Sequence, residues 1–186
     1  KLVDLCDESI ERAHALVREK NPELSEAQQR QVAATVGIAA VKYADLSKNR
    51  NSDYVFDWDT MLSFDGNTAP YLLYAYARIR SIFRRAELDP NARYAITVAA
   101  PEERALALKL LQFTEAVESL ASDCLPNQLC LYLYELAGHF MKFYEACPVL
   151  KAAGAERESR LGLCQLSART LQQGLALLGI TTLEQM

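Results

Sequence analysis

Gly66-Asn-Thr-Ala-Pro-Tyr-Leu-Leu-Tyr-Ala-Tyr-Ala-Arg-Ile-Arg80 is the stretch whose reading decides the fold. Thr68 can accept a hydrogen bond from the free backbone N–H groups of a new helix. Pro70 follows in the first turn, where a missing N–H costs little. Leu72, Leu73, Tyr76, Ile79 and Ile82 then supply apolar positions, and the spacing predicts a helix over about 69–86. Tyr71, Tyr74 and Arg78 lie along one side by their three- and four-residue steps. Residues 71–85 hold three tyrosines and four arginines, more polar and cationic reach than a buried stripe requires. Two readings fit that surplus. Either the hydroxyls find partners at the domain edge, or the rings stack on bases while guanidinium groups meet phosphates.

Working outward, each flank reads as more helix. Upstream, Leu2, Leu5, Cys6, Ile10, Ala13, Leu16 and Val17 recur at helical spacing until Asn21-Pro22. Ser25 and Gln28 form a capping box for a second helix, in which the small residues around Gly37 allow a close helix approach. Asp45 to Tyr54 is a polar connector carrying Lys48 and Arg50, with phosphate contact as the functional alternative. Asp57 or Asp59 caps a short helix, and Phe56, Trp58, Met61, Leu62 and Phe64 are expected to pack. Asp65-Gly66 is a turn.

Downstream, Asp89-Pro-Asn91 marks a loop and Tyr94 to Val98 an extended connector. Pro101-Glu-Glu103 opens a helix expected to carry Leu106, Leu110, Phe113, Val117 and Leu120 on one face. Pro126 opens the next, with Leu129, Leu133, Leu136, Phe140 and Phe143 as its stripe and Tyr132, His139 and Tyr144 beside it. Residues 156–178 form the last long helix, stopped by Gly179. Ile180, Leu183 and Met186 share three-residue spacing, so the tail is expected to dock. The expected fold is all-α: a short helical connecting region over 1–65, then a helical bundle over 66–186.

Composition narrows the function classes. The chain has 186 residues, 51% of them hydrophobic and 24% charged, which is a globular balance. No apolar run approaches the roughly 20 residues of a membrane span. The opening residues lack a signal-peptide pattern and begin inside a helix, so an excised piece of a longer protein is expected. The five cysteines form no CxxC pair and read as buried free thiols in a reducing, cytoplasmic setting. The formal charge of −4 argues against wrapping a polyanion broadly, while leaving room for a local basic patch. There is no Gly-rich phosphate loop, HExxH, GxSxG or clustered metal ligand set, so no catalytic or metal residue is expected. A binding module ranks above an enzyme active site, with a helical protein–protein scaffold as competitor.

Several motifs agree in order and spacing with a known family. They are Val41-Lys-Tyr-Ala-Asp-Leu-Ser47, Asn49-Arg50, Ser52-Asp-Tyr-Val-Phe-Asp57, Gly66-Asn-Thr-Ala-Pro-Tyr71 and Tyr74-Ala-Tyr-Ala-Arg78. Tyr132-Leu-Tyr-Glu-Leu-Ala137, Phe143-Tyr144, Arg160-Leu161, Leu177-Leu-Gly-Ile180 and Met186 continue the series. On these the chain resembles the C-terminal part of the bacterial-type arginyl-tRNA synthetases of class I. The resemblance implies that residues 1–65 are the helical end of the catalytic half and that 66–186 are its all-helical anticodon-binding domain. It implies tRNA(Arg) as partner and a monomer. It implies L-arginine, ATP and Mg2+ as ligands of the missing N-terminal part, whose HIGH-like and KMSKS-like segments are not present here. No cofactor is expected in these residues themselves.

By the same resemblance, Tyr74, Arg78, Tyr144 and Met186 are the anticodon-region contacts. Tyr71 and Asn67 match as well, with cap and domain-joint roles as alternatives, and Lys48 and Arg50 face the inside of the tRNA or link domains. The alternative function is a non-catalytic helical module of synthetase origin that binds protein or other RNA. A geometric expectation separates them: Tyr74, Arg78, Tyr144 and Met186 must share one open face.

Overall fold

A computed structural model describes all residues 1–186. Eight helices account for the regular structure: α1 (Leu2–Lys20), α2 (Glu26–Leu46), α3 (Trp58–Met61), α4 (Ala69–Arg85), α5 (Pro101–Leu111), α6 (Phe113–Asp123), α7 (Pro126–Ala146) and α8 (Gly154–Leu177). None is long and apolar enough to cross a membrane. The all-α expectation holds, and so do the local signals behind it. Thr68 Oγ1 accepts from the Tyr71 N–H at 3.3 Å and caps α4, with Pro70 in the first turn. Ser25 and Gln28 close the capping box of α2, and Asp57 rather than Asp59 caps α3.

α1 and α2 form an antiparallel hairpin that meets unusually closely. A Cβ on Gly37 would lie 2.8 Å from the Ile10 backbone, and Ser9 donates to the Gly37 carbonyl at 2.9 Å. Glycine is therefore required there by contact, not by torsion. α4 lies at the centre of the remaining bundle, packed on α2, α7 and α8. One core runs through all of it, from Ala13 and Val17 through Leu72, Leu73 and Ile79 to Leu133, Phe140 and Leu171. A buried hydroxyl ties α2 and α7 to the turn before α4: Tyr43 lies 2.6 Å from Asn67 Oδ1 and 2.9 Å from the Cys130 carbonyl, its one hydrogen shared between them.

Four expectations need correction. Residues 101–123 do not form one helix; the path breaks at Gln112. There the Tyr132 hydroxyl from α7 donates to the Lys109 carbonyl at 2.9 Å, and the Gln112 N–H bonds the same carbonyl one residue early. A side chain inserted into the ladder bends a helix in this way. Tyr132 consequently lies in the core rather than beside the stripe. Phe56 does not pack inside: it is 41% exposed, with its ring nearly perpendicular to that of half-buried Trp58 at 4.9 Å. Finally, the thiols are not uniformly buried. Cys130, Cys147 and Cys164 are, Cys6 is half-buried, and Cys124 is exposed at the end of α6 in a left-handed conformation. Burial raises the three inner thiols, Cys130 to about 12.

A buried ion pair joins α5 to α8. Glu103, 1% exposed, accepts from Arg160 Nε at 2.7 Å and from the Ala99 and Ala100 N–H groups at 2.9 and 3.0 Å. Arg160 also reaches Glu156 and the Pro148 carbonyl.

The end of α8 sets the course of the tail. Gly179, at φ +70°, donates to the Ala176 carbonyl, and Ile180 donates to the Leu175 carbonyl, both at 2.9 Å. These are the two bonds of a Schellman closure, with Ile180 and Leu175 both buried. The chain then turns back over the bundle, and Leu183 and Met186 pack against the core as their spacing predicts.

Candidate nucleic-acid interface

Tyr74 stands on the exposed side of α4 with 38% of its surface accessible. One turn on, Arg78 donates to the Tyr74 hydroxyl at 3.2 Å. Its guanidinium lies 5.9 Å from the Tyr74 ring centre and 5.1 Å from that of Tyr144 on α7. The planar cation is thus held between two rings from different helices, an arrangement that lysine could not reproduce. Tyr144 stacks in turn on Phe140 at 5.9 Å and 22°, which fixes its ring to the core. On the other side, Phe64 meets Tyr74 edge-on at 6.4 Å, and Lys20 lies 5.6 Å from the Phe64 ring centre. Two cations and three rings, Lys20, Phe64, Tyr74, Arg78 and Tyr144, therefore form a continuous row from the end of α1 to α7.

This row edges a cleft of about 490 Å³, lined by Tyr74, Arg78, Ser81, Arg84, Arg85 and Tyr144, with Asn21, Glu23, Gln185 and Met186 closing its rim. A neighbouring hollow of about 370 Å³ shares Asn21, Tyr74 and Met186 with it and adds Lys20, Phe64 and Asp65. Tyr74, Arg78, Tyr144 and Met186 therefore do share one open face. The cleft is locally basic on a chain of net negative charge. It offers stacked rings, a planar five-donor fork and further arginines, the chemistry of a site for unpaired bases and phosphates.

The other four residues singled out in the sequence lie elsewhere. Tyr71 is on the same side of α4 as Tyr74 but a turn earlier, where it meets Tyr134 of α7 at 5.7 Å; burial there raises its hydroxyl above the usual tyrosine value. Asn67 is engaged by Tyr43, as above. Lys48 is exposed and, with Asn67, Tyr54 and Phe56, lines a separate cavity of about 90 Å³. Arg50 donates to the Cys124 carbonyl at 3.1 Å.

Sequence reading missed several cleft residues. Arg85 continues the ladder 74, 78, 81, 85, so helical spacing could have found it. Lys20 and Phe64 arrive from other segments and carry no local signal. No His, Cys, Asp or Glu side chains gather in a group of three or more that could hold a metal.

The profile of the DALR anticodon binding domain matches residues 72–186, which include α4 from Leu72 on, α7, the tail and most of the cleft lining. The chain belongs to the DALR anticodon-binding domain family. Residues 1–58 match a second profile, the class I tRNA synthetase (R) catalytic domain. Among curated relatives of this DALR chain, the arginine–tRNA ligase of Chromobacterium violaceum is 59% identical over 187 residues, covering 100% of this chain and 32% of the relative. That of Marinomonas sp. is 58% identical with the same coverage. The chain thus spans about a third of the length of the curated relatives it matches. Among solved structures, the arginyl-tRNA synthetase of Thermus thermophilus superposes with a TM-score of 0.92 at 37% identity, covering 100% of this chain and 32% of that one. The Plasmodium falciparum enzyme superposes with a TM-score of 0.90 at 32% identity, covering 100% and 34%. The DALR bundle and the hairpin before it therefore keep their mutual arrangement in both.

Proposed function

We propose that this chain binds the anticodon region of tRNA(Arg) as part of an arginine–tRNA ligase. That enzyme joins L-arginine to tRNA(Arg) and cleaves ATP to AMP and diphosphate. The observation that carries the reading is the Arg78 guanidinium held between the Tyr74 and Tyr144 rings, beside Met186, in an open basic cleft of a DALR-family bundle. In this reading the rings and Met186 receive unstacked loop bases, and Arg78 supplies a planar hydrogen-bonding fork. Arg84 and Arg85 meet the loop's phosphates. Lys48 and Arg50 lie away from the cleft and contact the tRNA backbone elsewhere, while Asn67 and Tyr71 hold the joint between the two parts. The boundary falls at residues 65–66, between the ranges matched by the two profiles. L-arginine, ATP and Mg2+ are bound by the rest of a monomeric, cytoplasmic enzyme, where the adenylate chemistry takes place.

The test is binding of a tRNA(Arg) anticodon stem-loop against one with substituted anticodon bases. Clear preference for the arginine anticodon is expected, and equal affinity for both would overturn the reading. In an arginylation assay the 186 residues alone are expected to give no product.

A further inference from the structure

The carboxylate of Glu184 fastens the last residues to α4, where the Thr182 side chain also meets the Tyr76 hydroxyl. Its Oε1 accepts from the Tyr76 hydroxyl at 2.8 Å and its Oε2 from Arg80 Nε at 2.7 Å. Arg84 donates to the Glu184 backbone carbonyl as well. Tyr76 is otherwise buried, at 2% exposed, and the proximity of Glu184 adds to burial in raising its hydroxyl. Three α4 side chains, all about 100 residues away in sequence, therefore converge on one residue two positions before Met186.

We propose that Glu184 is a positioning residue: its latch on Tyr76, Arg80 and Arg84 holds Gln185 and Met186 at the rim of the cleft, preset for RNA. The inference rests on the function proposed above. Two residues span at most about 7 Å, so a fixed Glu184 confines Met186 to the neighbourhood of Tyr74 and Arg78. With Glu184 released, the nearest deeply buried tail residue is Ile180, and six residues span about 20 Å. The volume open to the tail end grows by at most about twentyfold, and the Leu183 contact, the Arg84 bond to the backbone carbonyl and Thr182 at Tyr76 offset part of that growth. Binding must then order the tail each time.

The latch and simple electrostatics give opposite signs. Glu184→Gln removes a negative charge next to two arginines, so charge alone makes RNA bind tighter. The latch makes it bind weaker. In the full protein, with a tRNA(Arg) transcript as probe, Glu184→Gln and Tyr76→Phe are each expected to weaken binding about three- to tenfold. Adding Tyr76→Phe to Met186→Ala is expected to change nothing further, because the latch acts through the tail end. Helicity and Tm are measured alongside; Tyr76→Phe loses one hydroxyl and keeps its packing. Tighter or unchanged binding by Glu184→Gln, or additive effects in the double variant, would overturn the latch. Tyr74→Ala and Arg78→Ala in the same series separate the failures. If these weaken binding while the latch variants do not, the latch alone falls. If these too bind as wild type, the anticodon reading falls with it.

Discussion

Tyr74→Ala and Arg78→Ala are each expected to weaken tRNA(Arg) binding by about five- to 150-fold, the range of one lost base stack at roughly 1–3 kcal/mol. Both side chains face the cleft rather than the core, so thermal stability should change by less than about 1 kcal/mol. Each loss has two parts. Tyr74 offers a face for a base and a hydroxyl for Arg78, and Tyr74→Phe keeps only the first. Tyr74→Phe should therefore retain most of the affinity. Arg78→Lys keeps the charge but not the plane between two rings, and it should resemble Arg78→Ala. Salt dependence distinguishes the two uses of Arg78. A phosphate contact lowers the slope of log affinity against log salt by about one when removed, whereas a stacked or base-reading guanidinium leaves it nearly unchanged. Wild-type affinity in both alanine variants would remove the cleft from RNA recognition.

The largest stability effect is expected at Glu103. Glu103→Ala strips the largely buried Arg160 of one of its two carboxylate partners, leaving it only the exposed Glu156, and frees two backbone N–H groups at the start of α5. Breaking a buried pair from one side costs about 3–5 kcal/mol. For a chain of this size that corresponds to a fall in Tm of roughly 6–20 °C, measurable by calorimetry. The pair also sets a pH dependence. Burial opposes ionisation of Glu103, but the Arg160 bond and the Ala99 and Ala100 N–H groups outweigh it and hold the carboxyl below its ordinary value. The folded protein thus binds this proton less readily than the unfolded chain does. Its contribution is complete above the ordinary glutamate range and fades as pH falls through that range toward the lower folded value. Glu103→Gln should be less stable at pH 7 and should close the gap to wild type on acidification. A constant gap down to pH 3 would mean that charge has no part in the effect.

The helices were legible because their punctuation is local. Thr68 and Pro70, Ser25 and Gln28, and Gly179 each act within a few residues, and each acts in the structure as its chemistry requires. The break at Gln112 was not legible, since its cause is a Tyr132 hydroxyl from another helix. The same divide runs through the cleft. Tyr74 and Arg78 are one turn apart on one helix, so the surplus of tyrosine and arginine in that stretch pointed to them. Tyr144 and Met186 came from motif resemblance alone. Lys20, Phe64 and Glu184 reach the site from distant segments, and nothing in their own surroundings marks them. Glu103 was read as an acid near a helix start, and Arg160 only as part of a matching motif. Their pairing across α5 and α8 is a tertiary fact.

The uneven placement of the five thiols gives the molecule a chemical handle. Alkylation requires thiolate and access, and Cys130, Cys147 and Cys164 lack both, being buried with raised ionisation. Cys124 alone is exposed, at the turn between α6 and α7, with Cys6 second. A maleimide dye used sparingly will therefore collect at one known position. It will sit outside the residues that line the basic cleft and beside Arg50, so a fluorophore there can report RNA at the Arg50 contact while leaving the cleft itself open.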